Sequence, residues 1–355
     1  MATLAAAFAV PGALETPTGG YAYAREILAR FPTHGIDAQV VRLPGGFPNP
    51  TTEDLVETAR LLAAVPGEAA LLVDGLAYGA LPAATLDAFA RPLVALVHHP
   101  LGLESGIAPD RAAALIETER RALARATRVV TTSPTTARTL VSDFGVPPDR
   151  LTVAEPGTEP AARAAGAPAG APPALVAMGA VTPRKGYDVL IAALARLADR
   201  PWSLTIVGAT DRAPDLAAAL AAQVREAGLA ERIRFTGAVD DATRDALMAG
   251  ADAFVSASLY EGYGMVLAEA MARGLPLVAS TGGAAAETAP DAAALKVPPG
   301  DVDALADALA RMLGDDALRR RLADASFAAG RRLPTWDDTT ARIARVLHDS
   351  LETTR

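Results

Sequence analysis

Short apolar runs alternate along this chain with stretches whose apolar positions recur every three to four residues. The runs are bounded by Gly, Pro, Asp and Ser. They have the length and unbroken hydrophobicity of parallel strands buried on both faces, and the stretches between them have the period of amphipathic helices. The pattern predicts strands over 3–10, 37–42, 69–73, 93–98, 129–131 and 151–154, with helices opened by the loop 17–21, by Thr51-Thr52-Glu53-Asp54, near Asp110 and by Ser133-Pro134. Residues 161–173 are Ala, Pro and Gly with one charge, which reads as a linker. Alternation then resumes, with strands over 174–178, 202–207, 233–236, 252–256 and 277–280, helices over 187–198, 216–227 and 265–273 and another ending at Met248, and a tail of two helices over 315–329 and 336–351. The expectation is an α/β protein of two domains, 1–160 and 174–330, followed by a C-terminal helical segment, 331–355.

Chemistry concentrates in one βαβ unit, SASLYEGYGMVLAEAMARGLPLVASTGGAAAE, over 256–287. Its loop lies at the carboxyl end of a strand, where open α/β sheets hold ligands. Gly262 and Gly264 leave no Cβ to keep a ligand from the backbone, and the following helix offers unpaired N–H groups and a positive dipole end to an anion such as a diphosphate. Glu261 and Glu269 flank that point, roughly 10 Å apart along the path. That spacing suits one extended ligand held at both ends. A dinucleotide fingerprint is disfavoured, because the third glycine is missing and the next strand ends Ala279-Ser280-Thr281 with no acidic residue.

Three other places share this logic. Gly19-Gly20 sits between a strand and a helix, either as an ordinary turn or as a place for backbone to approach a phosphate or acceptor. His98 and His99 end an apolar strand, and side-chain alternation lets at most one of them face a given ligand. Arg184 and Lys185 stand at a helix start, an unfavourable place for cations unless an anion offsets the repulsion.

The segment SxxxEGYGMVLAEAMARGLPLVAS resembles the Glu-x7-Glu signature of family 4 retaining glycosyltransferases. The resemblance implies the GT-B fold, two Rossmann-like domains with parallel sheets facing across a cleft, and transfer of a sugar from a UDP- or GDP-linked donor to a hydroxyl of a glycan, lipid or small molecule. It implies that Glu269 binds the ribose. Glu261 and the stretch Gly262, Tyr263, Gly264, Met265 and Val266 would hold sugar hydroxyls and phosphates, and Lys185 would hold phosphate. The backbone near Val239 would meet the base, and the loop of Gly19 and Gly20 would approach the donor. His98 would contact the donor sugar near the reacting carbon, with His99 and Tyr21 on the acceptor side. Ala180 stands where the family commonly has an arginine, and Arg184 is the candidate substitute. The final helix would cross back onto the first domain, anchored by Trp336. With Glu261 orienting the sugar, the implied route is front-face departure and attack, the leaving phosphate taking the acceptor's proton.

Composition narrows this further. Net charge is −8, with 12 basic and 17 acidic side chains in residues 1–160 and 21 and 24 in the remainder, so no basic face for nucleic acid is expected. There is no cysteine, which excludes disulfides and thiolate metal sites. No apolar run is long enough to cross a membrane, and the opening MATLAAAFAVPGALE has no basic n-region, so a cytoplasmic protein is expected. Lys185 and Lys296 are the only lysines among 33 basic residues, which singles out Lys185 as a place needing a compact ammonium. Arg111, Arg120, Arg121, Arg125 and Arg128 form a basic stripe, read either as a solvated helix face or as weak peripheral contact with anionic lipid at the inner membrane face. Asp301-Val302-Asp303 is explained by helix N-capping, and neither a metal nor a cofactor is expected. A nucleotide-sugar sensor without turnover and a nucleotide-sugar epimerase are the alternatives.

Overall fold

The computed structural model describes residues 3–89 and 91–352, so Met1, Ala2, Ala90 and the last three residues of the expected segments lie outside it. The chain forms two compact units, one of Met1–Gly157 with Pro334–Arg355 and one of Thr158–Leu333.

The first unit is built on six parallel strands: β1 (Leu4–Pro11), β2 (Ile36–Leu43), β3 (Ala70–Asp74), β4 (Leu93–Val97), β5 (Arg128–Thr131) and β6 (Leu151–Val153), in the order β2-β1-β3-β4-β5-β6. Ala6 of β1 lies opposite Ala38 on one side and Ala70 on the other. Strands β3 and β4 are buried throughout, as central parallel strands covered by helices must be. Edge strand β2 instead exposes Asp37 and Arg42, charges that blunt its open side. The helix Thr52–Ala63 starts at a capping box in which Thr51 and Asp54 satisfy each other's backbone amides. From β1 the chain goes out to β2 and returns past β1 to β3, so the sheet's switch point lies between the carboxyl ends of β1 and β3.

The helix Trp336–Glu352 completes this unit, packing over β3, β4 and β5 beside the helix Gly19–Arg30. It buries Trp336, Thr339, Thr340, Ile343, Ala344, Val346 and Leu347, a stripe of helical period. Trp336 meets Tyr23 edge to face with ring centroids 5.5 Å apart. Gly157 lets the chain pass there, because a Cβ on it would sit 2.2 Å from the Trp336 amide nitrogen.

The second unit repeats the plan with β7 (Ala174–Met178), β8 (Ser203–Val207), β9 (Ile233–Phe235), β10 (Ala253–Ser256), β11 (Leu277–Ser280) and β12 (Ala294–Val297), all parallel, in the order β12-β11-β10-β7-β8-β9. Its switch point lies between β7 and β10. Apolar clusters cover both faces of the sheet, one around Leu190, Leu204 and Leu309 and the other around Phe254, Leu267 and Leu277.

Several expectations shift. The stretch 161–173 is docked on the second unit rather than free: the Ala164 amide donates to the Arg273 carbonyl at 2.8 Å, Ala165 to Ala249 at 2.8 Å and Ala167 to the Asp252 carboxylate at 3.3 Å. Strand β4 stops at Val97, which leaves His98 just past the strand end. The helix expected over 187–198 ends at Ala195, and the indole of Trp202 takes the Leu197 carbonyl that a longer helix would use. Strand β12 was not expected, since its four residues hold a lysine. It lies at a sheet edge, where Lys296 reaches the Ala286 carbonyl at 2.7 Å and Asp291 at 2.5 Å.

Candidate active site

At the second unit's switch point the loop after β7 meets the loop after β10. The Leu259 amide donates to the Arg184 carbonyl at 2.7 Å, and Gly186, in the left-handed region at φ 60°, passes so close that a Cβ would lie 2.3 Å from the Ala257 carbonyl oxygen. Glu261 is 6% exposed, and three donors converge on its carboxylate. Lys185 Nζ donates to Oε1 at 2.6 Å, Ser258 Oγ to the same oxygen at 2.7 Å, and Arg184 Nη1 to Oε2 at 3.1 Å and to the Tyr260 carbonyl at 2.9 Å. Burial alone would raise this carboxyl, but Lys185 and Arg184, helped by the Lys185 and Ser258 hydrogen bonds, outweigh it and hold it down at about 2. The aliphatic stem of Lys185 lies over Gly179, where a Cβ would come within 2.4 Å of Cε.

The cation pair stands one turn ahead of the helix expected to begin with it. Arg184 and Lys185 end a short 3-10 turn, Pro183–Lys185, ahead of the helix Tyr187–Ala195, and both pair with Glu261. Arg184 is therefore engaged by Tyr260 and Glu261, while Ala180 adds no polar side chain.

The helix Met265–Ala272 begins beside this cluster. Gly264 adopts φ 94° as its N-cap, and among the described residues the amides of Gly264, Met265 and Val266 meet no acceptor. Tyr263 is buried, its carbonyl accepting from Thr288 Oγ1 at 2.6 Å, while Gly262 is half-buried. Glu269 stands half-buried on the second turn, its carboxyl raised by burial against the opposing pull of Arg244 and Arg273. Val239 lies beyond the carboxyl end of β9, packed on the cluster of Met178, Val207 and Met248. Asp301 accepts from the Ala304 amide at 2.9 Å as the N-cap of the helix Val302–Gly314, and Asp303 pairs with Arg196. Among the described residues no group of three or more His, Cys, Asp or Glu side chains is placed to hold a metal ion.

The first unit assembles a different cluster at its own switch point. Thr18 caps the helix Gly19–Arg30 by accepting from the Tyr21 amide at 3.1 Å, and the Tyr21 hydroxyl donates to the Pro11 carbonyl at 2.5 Å, closing the loop after β1. His98 packs over Gly20, where a Cβ would meet its ring at 3.5 Å, and edge to face against Tyr23 with centroids 5.2 Å apart. Its Nε2 lies 3.5 Å from Oδ2 of Asp74, the buried last residue of β3. His99 is half-buried. In the basic stripe, Arg120 and Arg121 pair with Glu117, Arg125 with Asp87, and Arg111 with Asn49, while Arg128 donates to the Thr127 carbonyl.

Sequence reading missed Asp74, Ser258, Tyr23 and Glu119. Asp74 was visible as a carboxylate closing an apolar strand. Glu119 falls on the buried face of its helix with Leu115 and Ala122, where its Oε2 accepts from the Leu101 amide at 2.8 Å. Ser258 and Tyr23 carry no signal apart from the fold.

Residues 172–315 match the family model described as glycosyl transferases group 1, and residues 27–162 match glycosyltransferase family 4. The chain is 29% identical over 330 residues to the MMP alpha-(1->4)-mannosyltransferase of Mycolicibacterium hassiacum, covering 86% of this chain and 76% of that protein. It is 40% identical over 170 residues to the phosphatidyl-myo-inositol mannosyltransferase of Mycobacterium leprae, which covers 46% of this chain and only 43% of that protein. In fold it is similar to a sucrose-phosphate synthase from Thermosynechococcus elongatus, with a TM-score of 0.83 at 21% identity over 98% of this chain and all (100%) of that one. It is likewise similar to Anabaena HepE in complex with UDP and glucose, with a TM-score of 0.75 at 19% identity over 97% of this chain and 100% of that one. Two family models that reach into both units, on a pair of doubly wound parallel sheets, place the chain in glycosyltransferase family 4, with the GT-B fold.

Proposed function

We propose that the chain transfers a sugar from a nucleoside diphosphate sugar to an acceptor hydroxyl with retention of anomeric configuration. The observation that carries this reading is the buried Glu261, Lys185 and Arg184 cluster beside three acceptor-free amides at a helix start. A diphosphate gains charge as it leaves the sugar, and fixed donors aimed at that charge lower the barrier without reorganising. Lys185 and the Gly264 to Val266 amides take this role, and Glu261 holds the ammonium in place. Glu269 and the loop at Val239 would bind ribose and base. His98 would contact the donor sugar, with Tyr21 and His99 toward the acceptor.

The geometry also bears on the stereochemical route. A retaining glycosidase presents a free carboxylate as nucleophile. Glu261 is already bound to two cations, which supports departure and attack on one face of the sugar, with the leaving phosphate accepting the hydroxyl proton. Lys185, Arg184 and the helix-start amides are donors for this charge, so we propose transfer without a divalent ion. Relatives named for UDP-glucose, mannosyl and inositol phosphate chemistry make UDP-glucose and GDP-mannose the first donors to test, and a polyol hydroxyl the first acceptor.

The test is release of nucleoside diphosphate from a labelled donor panel, with and without acceptor and with added chelator. Acceptor-dependent release that survives chelation and disappears in Lys185→Ala supports the reading. Silence from every donor and acceptor refutes transfer. Among the described residues no helix is long and apolar enough to cross a membrane, and the paired arginines favour a solvated helix face, which unchanged liposome sedimentation at low salt would bear out.

A further inference from the structure

We propose that Asp74 is a positioning residue for His98, holding its imidazole with the proton on Nε2 so that the opposite edge of the ring meets the ligand. The catalytic consequence rests on the transferase reading; the proton's location does not.

Asp74 ends β3 at the first unit's switch point and is 1% exposed. Its two oxygens face different groups. Oδ1 accepts from the Leu76 amide at 2.9 Å and starts the short helix Gly75–Tyr78, while Oδ2 lies 3.5 Å from His98 Nε2. Among the described residues Nε2 is buried without a hydrogen-bond partner, and the carboxylate of Asp74 lies 3.5 Å from it, a small ring rotation away from a hydrogen bond. An ionised carboxylate only accepts, so the nitrogen facing it carries the proton. About a quarter of the His98 side chain stays exposed although Nε2 does not, so solvent and ligand reach the ring by another edge. The ring plane is set independently. Tyr23 packs edge to face on it, the Tyr23 hydroxyl donates to the Ala154 carbonyl at 2.9 Å, and Trp336 backs Tyr23 from the returning helix. With the proton on Nε2, the ring offers Nδ1 as an acceptor to a sugar hydroxyl.

Asp74→Asn tests this, because the Leu76 amide forces the choice. The amide oxygen must stay with the Leu76 N–H, which turns the Asn NH2 group toward His98 as a donor and favours the tautomer with the proton on Nδ1. The chain has four histidines, His34, His98, His99 and His348, so ring 15N spectra of the histidine-labelled full chain can be assigned with a His98→Gln variant. At about pH 9, where an ordinary imidazole is neutral, the wild type is expected to show His98 protonated on Nε2 and Asp74→Asn to show it on Nδ1. Turnover should fall about 10- to 100-fold with KM for the donor changed less than about threefold. Asp74→Ser keeps an oxygen for Leu76 without reaching His98, and should give a mixture of tautomers; it is the measurement to use where Asp74→Asn does not fold. A wild-type proton on Nδ1, or a tautomer that neither substitution moves, overturns the proposal. The tautomer readout requires no donor or acceptor, so it stands or falls apart from the transferase reading, whereas the turnover readout depends on it.

Discussion

Each unit places a buried carboxylate at its sheet's switch point, and the two are used differently. Glu261 is hydrogen-bonded to Lys185 and Arg184, which hold its carboxyl well below the usual range against the effect of burial. Asp74 stands beside a histidine, the side chain whose proton is easiest to place and remove. The fold repeats, yet one crevice is built around permanent charge and the other around a ring held in one orientation. A doubly wound sheet thus determines where a site forms, and the residues just past the strand ends determine its chemistry.

The comparison breaks first at Glu261. Glu261→Ala strands a nearly buried ammonium beside Arg184, and should lower transfer by about a thousandfold and unfolding free energy by about 3–5 kcal/mol. Donor turnover and urea unfolding check both, and an active, stable variant would mean that the cluster is incidental. In the first unit the equivalent mechanical support is Trp336. Trp336→Ala leaves a cavity against Tyr23 and should cost about 3–5 kcal/mol, seen in urea unfolding, together with a turnover loss from a loosened His98.

Stability against pH sharpens the contrast, because the two units carry carboxyls shifted in opposite directions. Glu261, held at about 2, contributes stability that is present above its ordinary 4.5 and is lost as pH falls toward 2. Glu119 is pushed up to about 8 by burial, against the lowering effect of the Leu101 amide. Its folded form binds the proton more tightly, so its contribution is complete below 4.5 and fades as pH rises through about 8. Glu119→Gln should flatten the alkaline loss of stability between pH 5 and about 8, while leaving the acid limb unchanged. Equal slopes in variant and wild type would remove Glu119 from the account.

The smallest effects separate two glycines. Gly186→Ala meets a left-handed φ of 60° and a carbonyl 2.3 Å away, so it should lower stability by about 1–3 kcal/mol. Gly20→Ala adds a methyl at 3.5 Å from the His98 ring, an ordinary contact, and should change turnover less than about threefold. A large loss at Gly20 would mean that a ligand, rather than the imidazole, needs that space.

Most strands and the longer helices were legible from period and punctuation, since a buried parallel strand and an amphipathic helix have distinct sequence signatures. Glu261, Lys185, His98 and the Gly262 to Val266 stretch were legible as well, because each sits where a strand ends. What stayed hidden was pairing. Lys185 and Glu261 are 76 residues apart, and only the order of β7 beside β10 brings an apparent phosphate ligand and an apparent sugar ligand to 2.6 Å.

The chain's own pattern thus determined two α/β units, a glycine-broken helix start suited to an anion, and the residues at the strand ends. Tertiary structure decided that the carboxylate at 261 pairs with Lys185 and Arg184, that Asp74 lies against His98, and that the helix Trp336–Glu352 closes the first unit. The reason is physical: propensity and periodicity act over a few residues, whereas the partner of a buried charge is set by which strands lie side by side.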